Sequence, residues 1–581
     1  MIINILKRII VKALLMIIAW KVGIGRFMHN FHIDRDVMLP MKDGIKLSAD
    51  IYIPVGKGPF PVILTRLPYG KALCAVFAEL FVRYGYACVI QDTRGKFASE
   101  GEFYPFMNEK EDGKATAAWV KAQPWCNGKI GMFGVSYFGY TQWALAPGNT
   151  DVVSFTPIVT TSNIYNLVYW GGTFGELSYL HWSLAECGNK SNNDNVKNID
   201  KAHASMPLID KDRTAYRDVP NYKDWVSHPT PDAYWAQLSV EDRIPEIQAP
   251  MFLIAGWYDI FNTGQLKDFE LVKKSGQRSA AEGTKIIIGP WNHGFSDRNI
   301  ERAYGIKRSR LEIVPFKVLK DIKEWYDYSL KGSKNGWDKR PPVRLYVLGE
   351  NVWRYEKEWP LSRAVYTEYY LHSGGSANTF EGDGILDRIK PEASEPADTY
   401  TYDPQNPVPT VGGANLILEN SGPMDQRKIE ARQDILVYST EPLQKEIEAT
   451  GPVHLTVFVS SDAADTDFTG KLVDVFPDGK ALLVCDGILR ARYRNGLDKP
   501  ELMESGRIYK LDIFLGNTSV LFKKGHKIRI EVSSSNFPRF DRNPNTGGDI
   551  ATETKLKTAH QTVFHEEDHP SCLILPVIPR T

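Results

Sequence analysis

The sequence predicts an α/β protein: a mainly parallel sheet covered by helices, interrupted by a helical insertion and followed by an all-β domain. Three observations support this prediction. Strand-like apolar runs alternate with helical runs up to about residue 150 and again from about residue 246. The stretch between them loses this alternation and begins with many aromatic residues. After the glycine-rich segment 332–336, short alternating runs separated by turns are typical of a β-sandwich or a jelly roll.

Length and composition limit the protein class. The chain has 581 residues, of which 43% are hydrophobic and 24% are charged. This composition indicates a globular protein of two or three domains and excludes a mainly disordered chain. The 70 basic side chains equal the 70 acidic ones, so we do not expect nucleic acid as a partner. The six cysteines form no CxxC pair, which argues against a zinc site.

The first predicted element is an amphipathic or targeting helix within residues 1–30. Its apolar stripe is formed by Ile2, Ile3, Leu6, Ile9, Ile10, Ala13, Leu14 and Ile17, and its polar stripe by Asn4, Lys7, Arg8 and Lys12. Residues 1–20 fit a helix lying on a membrane surface, a helix packed on the protein body, or an export signal or anchor. We expect a cytoplasmic protein, with membrane association or export as the alternatives.

The remaining elements divide into three predicted parts. Residues 31–150 and 246–335 form the α/β core, residues 151–245 an inserted helical cap, and residues 336–581 a jelly-roll domain. The core strands are predicted at 47–54, 61–65, 86–91, 130–133, 250–255 and 285–288, and its helices at 72–84, 111–122 and 318–330. The jelly roll is expected to include strands at 343–348, 453–459 and 527–533.

A serine follows the fourth of these core strands at a predicted sharp turn. The stretch runs Gly134-Val135-Ser136-Tyr137-Phe138-Gly139. Compared with the usual G-x-S-x-G pattern, Phe138 takes the place of the second glycine. Such a strand–serine–helix turn presents the hydroxyl at the carboxyl edge of the sheet, above a helix N-terminus. We therefore predict Ser136 as a nucleophile, the alternative being a serine in an ordinary βα turn.

An acid and a base for this serine follow two later strands. Asp259 ends the stretch Gly256-Trp257-Tyr258-Asp259, and His293 ends the stretch Gly289-Pro290-Trp291-Asn292-His293. The order serine, acid, histidine is that of α/β-hydrolases. His293 would take the serine proton during attack. Asp259 would orient His293 and stabilise its imidazolium.

The negative oxygen of a tetrahedral intermediate needs hydrogen-bond donors. The backbone N–H of Tyr137, directly after the predicted nucleophile, is expected to be one of them. The second should come from the loop after an early strand, where Tyr69 lies at the tip of the segment 66–70.

These motifs together resemble the cocaine-esterase / X-prolyl dipeptidyl-peptidase family of α/β-hydrolases. The matching stretches are 68–70, 91–95, 99–101, 134–139, 256–259, 289–293, 465–469, 474–479, 486–490, 534–538 and 543–547. The resemblance spans about residues 34–575. It implies a hydrolase core, a helical cap and a carboxyl-terminal jelly roll, with no metal or organic cofactor. It also implies that a tyrosine hydroxyl is the second oxyanion donor, which falls on Tyr69.

The resemblance further implies that aromatic residues hold the acyl group. Trp170, Trp182 and Phe261 are the candidates for substrate binding, and core packing is the alternative role of each. Amino-acid ester hydrolases of this family tend to carry Glu where this chain has Phe138, which favours a branch that accepts apolar acyl groups.

The predicted function is a serine hydrolase that cleaves carboxylic esters or related amides through an acyl-enzyme on a Ser-His-Asp triad. One alternative is an X-Pro dipeptidyl-peptidase or a hydrolase of aminoacyl esters and amides. A more distant alternative is a non-catalytic protein whose jelly roll binds carbohydrate or another partner. The physiological substrate and the oligomeric state stay open.

Overall fold

A computed structural model describes residues 27–295, 298–306, 314–391 and 395–580. The predicted N-terminal helix and its membrane contact through residues 1–20 lie outside these described residues. Within them, every helix is too short or too polar to cross a membrane.

The α/β core is built on a ten-stranded sheet. In chain order, the strands up to the last one of this sheet are β1 (Phe31–Pro40), β2 (Lys46–Pro54), β3 (Phe60–Leu67), β4 (Ala87–Asp92), β5 (Cys126–Val135), β6 (Val152–Ile158), β7 (Tyr169–Trp170), β8 (Thr173–Phe174), β9 (Phe252–Tyr258), β10 (Lys285–Asn292), β11 (Val343–Val347) and β12 (Val352–Glu356). The order across the sheet is β1-β2-β4-β3-β5-β6-β9-β10-β11-β12, with β7 and β8 forming a separate hairpin. From β4 to β11 neighbouring strands are parallel.

Helices cover this sheet and form the cap. Those of the core are α1 (Ala75–Val82), α2 (Glu109–Lys121), α3 (Tyr137–Leu145), α10 (Asn262–Ser275), α11 (Arg278–Gly283), α12 (Arg298–Tyr304) and α13 (Val314–Lys331). Those of the cap are α4 (Tyr165–Val168), α5 (Glu176–Glu186), α6 (Ile199–Ala204), α7 (Lys211–Ala215), α8 (Pro220–Ser227) and α9 (Ala233–Ala236). β3, β4, β9 and β10 are buried along their whole lengths, which explains their nearly continuous apolar sequences.

The C-terminal domain is all-β apart from short helices, as predicted. Its strands are β13 (Val365–His372), β14 (Ile385–Asp387), β15 (Asp398–Tyr402), β16 (Leu436–Ser439), β17 (Ile447–Ser461), β18 (Asp467–Val475), β19 (Ala481–Arg490), β20 (Tyr509–Phe522), β21 (Lys527–Ser533), β22 (Ala559–Phe564) and β23 (Cys572–Ile578). One short α-helix, α14 (Arg427–Glu430), lies between β15 and β16. The strands are joined in the order β15-β22-β17-β23-β13-β14-β16-β21-β18-β19, and β20 pairs with β17.

The strand predicted at 343–348 does not open the jelly roll. It is β11, which pairs in parallel with β10 in the register Ile286↔Val343, and β12 then pairs with β11 to end the first sheet. The prediction was wrong because alternation of apolar and polar residues identifies a strand but not its partner. The edge of β10 offers unpaired backbone groups, and β11 satisfies them.

Buried polar contacts join the cap to the C-terminal domain. The side chain of Asp541 accepts a 2.7 Å hydrogen bond from the backbone N–H of Phe174, whose carbonyl in turn accepts from the N–H of Asp541 at 2.9 Å. Arg490 donates to the other carboxylate oxygen of Asp541 at 2.9 Å. Arg542 donates to the backbone carbonyls of residues 203–205. The cap is therefore held from the side of the C-terminal domain as well as by the core.

A second buried cluster lies inside the C-terminal domain, around the fully buried His565. Its Nδ1 is 3.1 Å from a carboxylate oxygen of Glu395, and its Nε2 is 3.1 Å from a carboxylate oxygen of Asp398. Asp398 also accepts 2.7 Å hydrogen bonds from Ser373 and Tyr438. Burial lowers the pKa of His565, but its hydrogen bonds and charge interactions with the two carboxylates outweigh burial and raise the pKa overall.

This cluster predicts a pH-dependent component of stability. A histidine whose pKa is raised on folding stabilises the folded state fully below its unfolded pKa of about 6.5, and this contribution is lost as pH rises through the folded pKa. His565→Gln should therefore lower the urea unfolding midpoint more at pH 6 than at pH 9. The loss at pH 6 is expected to be about 2 kcal/mol, the scale of a hydrogen bond to a charged group. His560→Gln, at an exposed position on β22, serves as the control. A loss that is equal at both pH values would contradict a charged His565.

Candidate active site

Ser136 occupies a strained turn between β5 and α3. Its backbone has φ 56° and ψ −123°, outside the conformations that residues other than glycine normally adopt. The turn is possible because two residues near it, Gly134 and Gly139, lack side chains. A Cβ on Gly134 would lie 1.8 Å from the carbonyl oxygen of Phe138, and one on Gly139 would lie 2.5 Å from Thr160 Cγ2. Gly139 thus allows α3 to approach Thr160 closely. Phe138, which takes the place of the second glycine of the usual motif, is buried.

A chain of hydrogen bonds connects the serine, the histidine and the aspartate. Ser136 Oγ is 3.0 Å from His293 Nε2, and His293 Nδ1 is 2.7 Å from Asp259 Oδ2. Asp259 is 1% exposed and its other oxygen accepts a 2.7 Å hydrogen bond from the N–H of Phe261. Asp259 and His293 follow the adjacent strands β9 and β10, whose carboxyl ends lie at the same edge of the sheet as that of β5, with β6 between β5 and β9. The three predicted side chains therefore form one hydrogen-bonded chain, with His293 between Ser136 and Asp259.

Tyr69 extends from the loop after β3 toward the same serine. Its hydroxyl oxygen accepts a 3.1 Å hydrogen bond from the indole N–H of Trp182 in the cap. Burial and the nearby carboxylate of Glu186 raise the pKa of Tyr69, so the phenol keeps its proton at neutral pH. Hydrogen bonding to Trp182 and Ser136 opposes this rise. With its oxygen accepting from Trp182, the phenol can direct its own proton at a group bound to Ser136.

Tyr137 begins α3, so its backbone N–H has no acceptor within the helix and lies at the positive end of the helix dipole. Two hydrogen bonds fix the position of its side chain. The hydroxyl donates to Glu109 Oε1 at 2.8 Å and accepts from the N–H of Phe106 at 2.9 Å. Burial raises the pKa of Glu109, and the guanidinium of Arg66, 3.0 Å away, opposes this rise. These contacts hold Tyr137 in place. No motif in the sequence indicated this role for Glu109.

Ser136 and His293 lie on the wall of a cavity of about 740 Å³. Most of the wall is aromatic or aliphatic, and none of the described lining residues is Asp, Glu, Lys or Arg. Trp182 and Phe261, both predicted to bind substrate, line it. The ring of Phe261 also stacks on His293 with 5.3 Å between centroids. The cavity size is in the range that encloses a small organic molecule.

Trp170 does not line this cavity, contrary to its predicted place beside the acyl group. It belongs to the β7–β8 hairpin, and its ring stacks on Phe514 of the C-terminal domain with 6.1 Å between centroids. The hairpin approaches that domain so closely that a Cβ on Gly171 would lie 1.9 Å from the carbonyl oxygen of Ile488. An aromatic residue in the cap can pack either against the cavity or against the C-terminal domain. Trp170 packs against the C-terminal domain.

Most of the other lining residues could not be predicted as part of the site, and two of them are informative. Leu416 reaches the cavity from the C-terminal domain, and His181 reaches it from α5. Nothing in the sequence near Leu416 indicates a site, because it is brought there by the docking of a loop more than 100 residues after His293. His181 falls within the segment predicted as the cap, and only its position on α5 shows that it borders the cavity.

Comparison with known proteins supports the family resemblance found in the sequence. The sequence model of the X-Pro dipeptidyl-peptidase (S15) family matches residues 43–295. That of the X-Pro dipeptidyl-peptidase C-terminal non-catalytic domain matches residues 335–574. Cocaine esterase of Rhodococcus sp. (strain MB1 Bresler) is 40% identical to this chain over 582 aligned residues, which cover 95% of this chain and 99% of the esterase.

Solved structures share the fold over nearly the whole chain. An aminopeptidase from a marine sediment Thaumarchaeota archaeon aligns with a TM-score of 0.81 and 24% identity, covering 95% of this chain and 97% of the other. An α-amino acid ester hydrolase aligns with a TM-score of 0.80 and 24% identity, covering 94% of this chain and 97% of the other. The resemblance seen in the sequence motifs is thus confirmed. The chain belongs to the cocaine-esterase / X-Pro dipeptidyl-peptidase (S15) family of α/β-hydrolases and is a serine hydrolase.

Proposed function

We propose that the protein cleaves carboxylic esters with an apolar acyl group by transferring that group to Ser136. The observation that carries the proposal is the hydrogen-bonded set Ser136–His293–Asp259 on the wall of a cavity without a lining carboxylate among its described residues. The substrate of an X-Pro dipeptidyl-peptidase or an aminoacyl hydrolase carries a free amine, which is cationic at neutral pH. Such a cation would be desolvated in this cavity without a counter-charge, which costs free energy.

In the proposed acylation step, Ser136 Oγ attacks the ester carbonyl carbon while His293 Nε2 takes the hydroxyl proton. The carbonyl oxygen becomes negative, and its hydrogen-bond donors are the backbone N–H of Tyr137 and the hydroxyl of Tyr69. The intermediate then collapses. The bond to the alcohol oxygen breaks, and His293 returns the proton to the leaving alcohol. Asp259 keeps the imidazole oriented and stabilises its cationic form throughout.

Deacylation repeats these steps with water as the nucleophile. His293 takes a proton from a water molecule, whose oxygen attacks the acyl carbon. The same two donors hydrogen-bond the carbonyl oxygen as it becomes negative. Collapse of the second intermediate breaks the bond to Ser136 Oγ, and His293 returns the proton to it. The balance is one ester and one water consumed, and one carboxylic acid and one alcohol produced.

A matched pair of esters tests the acyl preference. 4-Nitrophenyl phenylacetate and the 4-nitrophenyl ester of phenylglycine differ only in the α-amino group. We expect kcat/KM, normalised to the spontaneous hydrolysis rate of each ester, to be at least about 10-fold higher for the phenylacetate, equivalent to about 1.4 kcal/mol. Gly-Pro 4-nitroanilide should be cleaved more slowly than either ester. A preference for the amino ester or for the anilide would support the aminoacyl or X-Pro alternative instead.

A further inference from the structure

His181 is a polar residue in the apolar cavity wall whose role the proposed chemistry leaves open. It lies on α5 between two other lining residues, Tyr179 and Trp182. The polar atoms of several lining residues are already engaged. Trp182 donates to Tyr69, and the hydroxyl of Tyr140 donates to the carbonyl of Leu238 at 2.9 Å.

The imidazole of His181 differs from these groups, because no described residue is its hydrogen-bond partner. Across the part of the chain that the structure describes, neither ring nitrogen of His181 is within hydrogen-bond distance of a protein group, and the ring stacks on no other aromatic side chain. An imidazole at an apolar wall loses hydrogen bonds to water when a ligand fills the cavity, unless the ligand replaces them. A leucine or phenylalanine would close the wall without this loss, so the arrangement favours a polar contact with the ligand.

The charge state of His181 narrows the class of ligand. Burial, and to a smaller extent the nearby His203, lower the pKa of His181. The imidazole is therefore neutral at pH 7, with one nitrogen that donates and one that accepts. A substrate carboxylate would find no cation there, and a substrate ammonium would find no carboxylate among the described lining residues. An uncharged hydroxyl, which also donates and accepts, matches a neutral imidazole best.

We propose that His181 is a specificity-determining residue that hydrogen-bonds a hydroxyl group carried by the substrate at a distance from the scissile ester. The substrate class is then an ester with an apolar, hydroxyl-bearing acyl or alcohol part. This inference rests on the proposed esterase function and refines it. It assigns no step of bond cleavage to His181, because Ser136 and His293 already form the reacting pair.

The test uses two series of esters and the full-length protein. In the first series, 4-nitrophenyl 3-phenylpropanoate is compared with its meta- and para-hydroxyphenyl analogues, so that the hydroxyl lies on the acyl part and cannot itself attack the ester. In the second, benzyl and phenethyl butanoates are compared with their ring-hydroxylated analogues, so that the hydroxyl lies on the alcohol part. For the wild-type protein we expect one isomer to exceed its unsubstituted parent by about 3- to 10-fold in kcat/KM, the scale of one neutral hydrogen bond.

His181→Leu and His181→Phe should abolish this preference, measured within each variant as kcat/KM for the preferred isomer divided by kcat/KM for the unsubstituted parent. His181→Gln, which keeps a donor and an acceptor, should retain part of it. His228→Phe is the matched control: His228 is also a cap histidine, but it pairs with Asp232 and does not line the cavity. It should leave the preference intact.

The outcomes separate this inference from the proposed function. If the wild type cleaves the unsubstituted esters but prefers no hydroxylated isomer, or if His181→Leu keeps the preference, the role of His181 is wrong and the esterase function stands. If the wild type cleaves none of the esters in either series, the proposed function itself fails.

Discussion

Ser136→Ala is expected to lower kcat on an apolar acyl ester by about 10⁴-fold or more, because the covalent route through the serine is lost. Only substrate binding and the oxyanion donors would remain to accelerate direct attack by water. KM should change much less, since the ester is held by the apolar cavity wall rather than by the serine hydroxyl. The measurement is kcat and KM on 4-nitrophenyl phenylacetate, with purified wild type and variant at equal concentration.

Two controls make this result decisive. A fluorophosphonate probe should label the wild type and not Ser136→Ala. Ser376→Ala, at an exposed serine of the C-terminal domain, should behave as the wild type in both assays. If Ser136→Ala keeps more than about a tenth of the wild-type rate, well above the residual activity typical of such variants, the assignment of the nucleophile has to be withdrawn.

Tyr69→Phe should give the second-largest loss, about 10²- to 10³-fold in kcat, which is about 3–4 kcal/mol of transition-state stabilisation. The substitution removes one oxygen and keeps the ring, so packing is preserved. It would leave the N–H of Tyr137 as the remaining donor to the oxyanion, and it would also leave the indole N–H of Trp182 without its acceptor. KM should change little, because the hydroxyl acts most strongly on the charged transition state.

An inhibitor that mimics the transition state gives an independent measurement. A boronic acid forms a tetrahedral anion on a catalytic serine, so Tyr69→Phe should weaken its binding roughly in proportion to the loss of kcat. Tyr165→Phe is the control, because it removes a different phenol hydroxyl, on a cap residue that donates to the carbonyl of Pro229 and does not line the cavity. If Tyr69→Phe leaves kcat intact and raises KM, Tyr69 merely lines the pocket.

The positions of the three residues of the proposed triad could be predicted from the sequence because each follows a buried strand directly. Ser136 follows β5, Asp259 follows β9 and His293 follows β10. Apolar runs that end in small or polar turn residues are visible in the chain, and parallel topology brings their carboxyl ends together. The chain order serine, acid, histidine then limits the choice among twelve histidines. The structure joins these three side chains in one chain of hydrogen bonds.

The pocket wall and the sheet partners were much less predictable. Whether Trp170 faces the acyl group or the C-terminal domain depends on how the β7–β8 hairpin docks, and whether β11 joins the first or the second sheet depends on which edge is open. Leu416 enters the site from a distant loop. These facts depend on contacts between segments far apart in sequence, which neither periodicity nor local composition reveals.

The pairing of β11 with β10 determines where the chain can be divided for domain exchange. A fragment ending at residue 335 would leave β10 as an edge strand with unpaired backbone groups, a template for aggregation. Its inactivity would then say nothing about the C-terminal domain. A hybrid of two relatives needs its junction after Glu356, in the segment before β13 begins at Val365. Even there, the incoming domain supplies the residue at position 416, so each exchange would reshape the substrate cavity along with the domain that is swapped.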